Sequence, residues 1–314
     1  MRRRLTAVSL CLAATVPAAA QECGQKIASF DLVQADDGSI VIPVMFGDTP
    51  GRMGLDFDGL ESAVYAKTVD KLHFPVTILG RRYWITWFGQ AVNRFAEVPS
   101  ISIGKAPAHF RAFILDRGEG ELDGWLGLSF LGNNDIDIDF PNKKITFFSP
   151  NPCPAKQVVT WTDNFQTVPL TEHVRWNFDF PVQIEGHSIQ MSLLAGLSTG
   201  WVRLPQAEDI LGLKTNTPGM RKEPEPDFYS YSFKSLKIAG IDMADSRLGV
   251  LWRSQPGCVY DRCWNDQPPG YLSLNQFRAM HIYIAYRAKK MYLSAGDPKP
   301  PQTPAISPAS PAAH

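Results

Sequence analysis

The sequence lacks an excess of charge of either sign. Its 31 Lys and Arg balance 31 Asp and Glu across 314 residues. Binding to nucleic acid draws on clustered basic side chains that release counterions, so this balance argues against a nucleic-acid partner. Long apolar runs are missing too: the one at residues 5–16 is too short to span a bilayer. No Cys-x-x-Cys occurs and the six His are scattered, so no zinc site is expected, nor any other metal or cofactor. Long helical patterns are scarce. The 25 Pro and 24 Gly predict frequent turns instead.

What is present begins with Arg2-Arg3-Arg4, the apolar run and an Ala-rich stretch at 17–20. A basic segment, a short apolar segment and a small-residue site predict a signal peptide over residues 1–20, cleaved after Ala20, and a periplasmic or extracellular destination. Four cysteines then remain: Cys23, Cys153, Cys258 and Cys263. In an oxidising compartment they predict two disulfides, with three pairings open. Cys258 with Cys263 would close a short loop, and Cys23 with Cys153 would tie the ends of the first half. Residues 296–314 hold six Pro among small residues, a tail that cannot bury apolar area and is expected to be disordered.

Strand patterns dominate. Residues 39–46 (SIVIPVMF) are rich in β-branched side chains, 100–104 (SISIG) and 135–140 (DIDIDF) alternate strictly, and 144–148 (KITFF) follows a turn. Helical patterns cover only 63–72 and 206–211. Asp135, Asp137 and Asp139 form an acidic stripe. Neighbouring carboxylates on one strand face lie about 6.5–7 Å apart, too far for one ion, so a solvated face is expected.

The chain also repeats itself. Ile42-Pro43-Val44 is echoed by Phe180-Pro181-Val182 at an offset of 138, which also aligns Met53 with Met191, Leu55 with Leu193 and Val64 with Val202. Further on the offset is 146: Leu126 and Leu128 match Leu272 and Leu274, Ile136 and Ile138 match Ile282 and Ile284, and Lys143-Lys144 match Lys289-Lys290. The extra residues fit an insertion at 258–269. The reading is a first lobe at 21–153, a linker at 154–159 and a second lobe at 160–295.

This order of elements resembles the bacterial exported, retropepsin-like aspartyl proteases, over about residues 28–295. The best-matching element is 124–131 (GWLGLSFL) followed by 135–148. The resemblance implies an all-β, bilobal, acid-protease-like fold made of two repeated β lobes with short helices. It also implies one catalytic Asp per lobe, the two sharing a proton around one water. One carboxylate would act as base on the water while the other protonates the scissile carbonyl.

In the first lobe the family's Asp-Thr-Gly slot falls on Asp56, Phe57 and Asp58. In the second it falls on Leu194, Ala195 and Gly196, or one residue later, and no Asp occurs between Asp179 and Asp209. The dyad lacks a member, so hydrolysis is expected to be very weak or absent. Asp56 is the candidate catalytic residue. Asp58 is a candidate binding residue, and two carboxylates without a third ligand make no metal site. A solvated polar seam between the lobes is the expectation there.

The segment 81–89 (RRYWITWFG) matches the hairpin that covers the family's cleft, with Tyr83, Trp84 and Trp87 as candidates to grip an extended peptide. The functional expectation is therefore an exported, monomeric, catalytically impaired pseudoprotease that binds a peptide or protein segment in extended conformation between the lobes. Two alternatives stand beside it, an active aspartic endopeptidase using Asp56 and a non-enzymatic structural or assembly factor of the cell envelope.

Overall fold

A computed structural model describes residues 24–35, 38–80, 85–87, 90–104, 106–118, 120–150, 153–174, 177–194, 199–224, 227–243, 245–251, 258–259, 262–263 and 268–296. The chain is all-β and bilobal, with short helices, in the acid-protease-like arrangement of two repeated lobes. The first-lobe sheet runs in the order Val33–Gln34, Ile40–Phe46, Thr49–Leu55, Gly124–Leu126, Ser62–Tyr65, Ala106–Leu115, Arg94–Ile103, Val76–Ile78. The second-lobe sheet centres on Trp201–Arg203, Gly270–Ser273, His187–Leu194 and Asn177–Ile184.

The registers show how alike the lobes are. In the first, Leu126 pairs in parallel with Leu55, and Gly124 pairs antiparallel with Val64. In the second, Leu272 pairs in parallel with Leu193, and Gly270 pairs antiparallel with Val202. These partners differ by the same 138 and 146 residues that relate the sequence segments. Lys143 and Lys289, 146 apart, both adopt a left-handed conformation at φ 52° and 51°, each in the turn of a hairpin.

Those hairpins join the lobes. A six-stranded sheet runs Lys26–Asp31, Lys144–Phe148, Asp135–Asp139, Met280–Ala285, Lys290–Ala295, Gln166–Pro169. At its centre Ile136 pairs with Ile284 and Ile138 with Ile282, so each isoleucine meets the repeat partner of the other. That reciprocity is the mark of a two-fold arrangement. One apolar core, containing Ile42, Leu55, Ile136, Phe180, Leu272 and Met291, runs through both lobes and this sheet. Its continuity follows from strict alternation: Phe178, Phe180, Val182 and Ile184 are buried, while Asn177 and Asp179 face the other way.

Three expectations change. The helix starts at Ala66, not at 63, because Ser62–Tyr65 is a central strand paired on both sides. The expected linker holds a short helix, Ala155–Val158. The acidic stripe is not solvated. Tyr283 donates to Asp135 at 3.1 Å, His281 Nε2 lies 2.5 Å from Asp137, and His281 Nδ1 lies 3.5 Å from Asp139. Asp139 also accepts from Asn142. Trp161, just after the linker, stacks on the His281 ring at 3.8 Å and donates to Ser294. The stripe is thus contacted by polar side chains of the neighbouring strand and roofed by an indole. Burial and the Asp135 carboxylate both hold the Tyr283 hydroxyl well above its usual pKa.

Cys153 is disulfide-bonded; Cys23, its expected partner, lies outside the described residues. Cys258 stands opposite Cys263 in a two-stranded ladder, a backbone spacing that suits a bridge. The tail at 297–314 also lies outside the described residues.

Candidate functional site

The site forms where the first lobe's strand Thr49–Leu55 ends. The chain does not continue as a strand through Asp56 and Asp58, so the two carboxylates do not share a strand face. It turns. Asp56 accepts hydrogen bonds at Oδ1 from the Asp58 and Gly59 amides, at 3.1 and 2.9 Å, and its own amide donates to Leu126 O. These bonds fix the Asp56 carboxylate, which is only 6% exposed.

Gly127 backs this loop. A Cβ there would lie 2.2 Å from Glu61 O and 2.8 Å from Gly59 O, so only glycine fits. Its amide donates to Ser62 Oγ at 3.1 Å. The second lobe solves the same problem with exchanged parts. Gly200 stands in the place of Ser62 and Ser273 in that of Gly127. The buried Gln276 Oε1 accepts from both of their amides, at 3.1 and 3.0 Å. A Cβ on Gly200 would meet Tyr271 O at 2.3 Å.

Phe57, in the position of the family's Thr, is 3% exposed. With Leu193, Phe178, Phe180, Ile284 and Met291 it lines a small apolar cavity between the lobes. Leu194 ends its strand half-buried, paired in parallel with Ser273. Ala195, the other occupant of the second slot, lies outside the described residues.

The seam is polar, but it is not solvated as expected. Asp58 accepts from Asn177 Nδ2 at 3.2 Å and from the Tyr271 hydroxyl, both second-lobe groups. Ser192 Oγ donates to Asn177 Oδ1 at 3.2 Å and also contacts Asp179 Oδ1. Tyr271 and Asp179 are 5% and 7% exposed and Ser192 is fully buried. Burial first, then the Asp58 carboxylate, pushes the Tyr271 hydroxyl far above its usual pKa; Arg203 pulls the other way. Burial lowers the Arg203 guanidinium in turn.

Asp179, Asn177, Ser192 and Tyr271 were not candidates in the sequence. A signal was there: in Asn177-Phe178-Asp179-Phe180 the two phenylalanines claim the core, which turns the polar pair towards the opposite face. The equivalent face of the first lobe is apolar, formed by Ala63, Tyr65, Phe113, Leu115 and Trp125, with Trp125 donating to Tyr65 OH at 2.8 Å.

The segment expected to form the cleft-covering hairpin has paired strands Ile85–Trp87 and Gln90–Val92, which places Trp87 in a strand. Tyr83 and Trp84 lie outside the described residues. Among the described residues no group of three or more His, Cys, Asp or Glu could hold a metal ion. Among them, too, no helix is long and apolar enough to cross a membrane. The chain matches no family model and no curated protein.

Proposed function

We propose that this protein is an exported, catalytically impaired relative of the aspartic proteases that binds an extended peptide between its lobes. The observation that carries this is a buried, hydrogen-bonded Asp56 whose counterpart in the second repeat, 138 residues on, is Leu194. The first-lobe loop retains a positioned, buried carboxylate, whereas the second-lobe strand reaches the seam with Leu194, and Phe57 fills the interior beneath. The second-lobe slot supplies no Asp to protonate a scissile carbonyl, so a bound peptide is expected to stay whole. The basic and apolar N-terminal segment supports export. Asp179, a buried second-lobe carboxylate in the same polar network, favours a competing reading, an aspartic endopeptidase using Asp56.

Photo-crosslinking tests the binding reading. A pepstatin-based photoprobe, a peptide analogue held extended, is expected to label the full mature chain saturably at Trp84 or Trp87. Labelling that never saturates, or that maps only outside the hairpin and seam, would count against peptide binding and favour a structural role.

A further inference from the structure

The lobes meet through polar contacts as well as apolar ones, and the polar contacts converge on one side chain. Asp58 belongs to the first lobe, in the turn after Asp56. It accepts hydrogen bonds from two second-lobe side chains, Asn177 Nδ2 at 3.2 Å and the Tyr271 hydroxyl. We infer that Asp58 is an interlobe latch, whose hydrogen bonds to Asn177 and Tyr271 hold the seam shut over Asp56 in the ligand-free protein.

The two donors are themselves held in place. Ser192 Oγ lies 3.2 Å from Asn177 Oδ1, and the Asp58 carboxylate itself holds the side-chain amide with its nitrogen towards the seam. Turning that amide over would set its oxygen against a carboxylate. Tyr271 is positioned by Trp201, whose ring centroid lies 4.8 Å from its own. Bonds from neutral donors to an ionised acceptor are among the stronger hydrogen bonds, and here they are part-buried. The Asp58 carboxylate has no structural duty to its own loop through these bonds, because the loop is fixed by the Asp58 amide, which bonds Asp56. A peptide lying across Asp56 would have to exchange these bonds for its own, so the latch is the contact that ligand entry must open. Only this last consequence rests on the peptide-binding reading.

Hydrogen–deuterium exchange on the full mature chain, with no peptide present, tests the latch. The variants are Asp58→Ala, Tyr271→Phe and the double substitution. Tyr271→Phe removes one hydroxyl and keeps the stack on Trp201, so it folds even where Asp58→Ala does not. Each single change is expected to speed amide exchange about tenfold in both 56–62 and 177–194, on opposite sides of the seam. Exchange in the hairpin strands Asp135–Asp139 and Lys144–Phe148 should stay as in the parent. Asn177 still holds Asp58 in the Tyr271 variant, so the double change should fall short of the product of the singles. Wild-type exchange at 56–62 in Tyr271→Phe, or acceleration confined to the lobe that carries the substitution, would overturn the latch. Because no peptide is used, the latch and the peptide-binding reading can fail separately.

Discussion

Phe57→Ala is expected to destabilise the protein by about 3–5 kcal/mol, the usual loss for a buried phenylalanine. The ring is 3% exposed and stands against Leu193, Phe178, Phe180 and Met291, all from the second half of the chain. Removing it enlarges a cavity that already exists there. These walls belong to strands fixed on several sides, so they have little freedom to collapse inward. Equilibrium denaturation read by intrinsic fluorescence measures the loss. Phe57→Leu, which keeps most of the volume, should recover more than half of it. Loss of less than about 1 kcal/mol in Phe57→Ala would show that the ring is not a packing element of the seam.

His281→Ala is expected to cost about 3 kcal/mol, for an electrostatic reason. His281 faces Asp137 at 2.5 Å and Asp139 at 3.5 Å, with side chains only 10%, 20% and 16% exposed respectively. Without the ring, two partly buried carboxylates lose their shared partner and Trp161 loses its stacking surface. Trp161→Ala should cost less, about 1 kcal/mol, since it leaves the His281 contacts in place. A double-substitution cycle should show the two effects to be coupled, because the residues touch. Additive losses would mean that the indole and the imidazole act independently.

These two effects differ in how far the sequence foretold them. Phe57 was visible as an apolar residue where the resembling family places Thr, so a disturbed slot was legible from one position. The His281 cluster was not. Asp137 and His281 lie 144 residues apart, and only the pairing of the two lobe-closing hairpins across a two-fold brings them together. A stripe read along one strand looks solvated when the adjoining strand is unknown. The strands themselves were legible because alternation survives in segments such as Ile136-Asp137-Ile138. The two offsets were legible because both halves use the same pairings, Leu55 with Leu126 and Leu193 with Leu272.

The seam was half legible. Asp56 stands out by its slot, whereas the corresponding slot near Leu194 shows no carboxylate. Asp179 enters from a neighbouring strand, fifteen residues before Leu194 in the sequence, and it reaches the network through Ser192. The local pattern at 177–180 fixed which way it faces. What it meets there depends on Tyr271, Asn177 and the opposite lobe's Asp58, which are contacts of tertiary structure. The difference in polarity between equivalent lobe faces has the same origin: Trp125 meets Tyr65 in one, and Tyr271 meets Asp58 across the seam in the other.

Peptide hydrolysis at acid pH tests the central claim most directly. The mature protein and Asp56→Asn would be incubated with a denatured-protein substrate between pH 3 and pH 6, and new N-termini counted with and without pepstatin. A second-lobe slot that holds Leu194 in place of an Asp predicts that both proteins release no more N-termini than the buffer alone. Turnover by the parent protein that pepstatin inhibits and Asp56→Asn abolishes would contradict it, and would make Asp56 half of a working dyad.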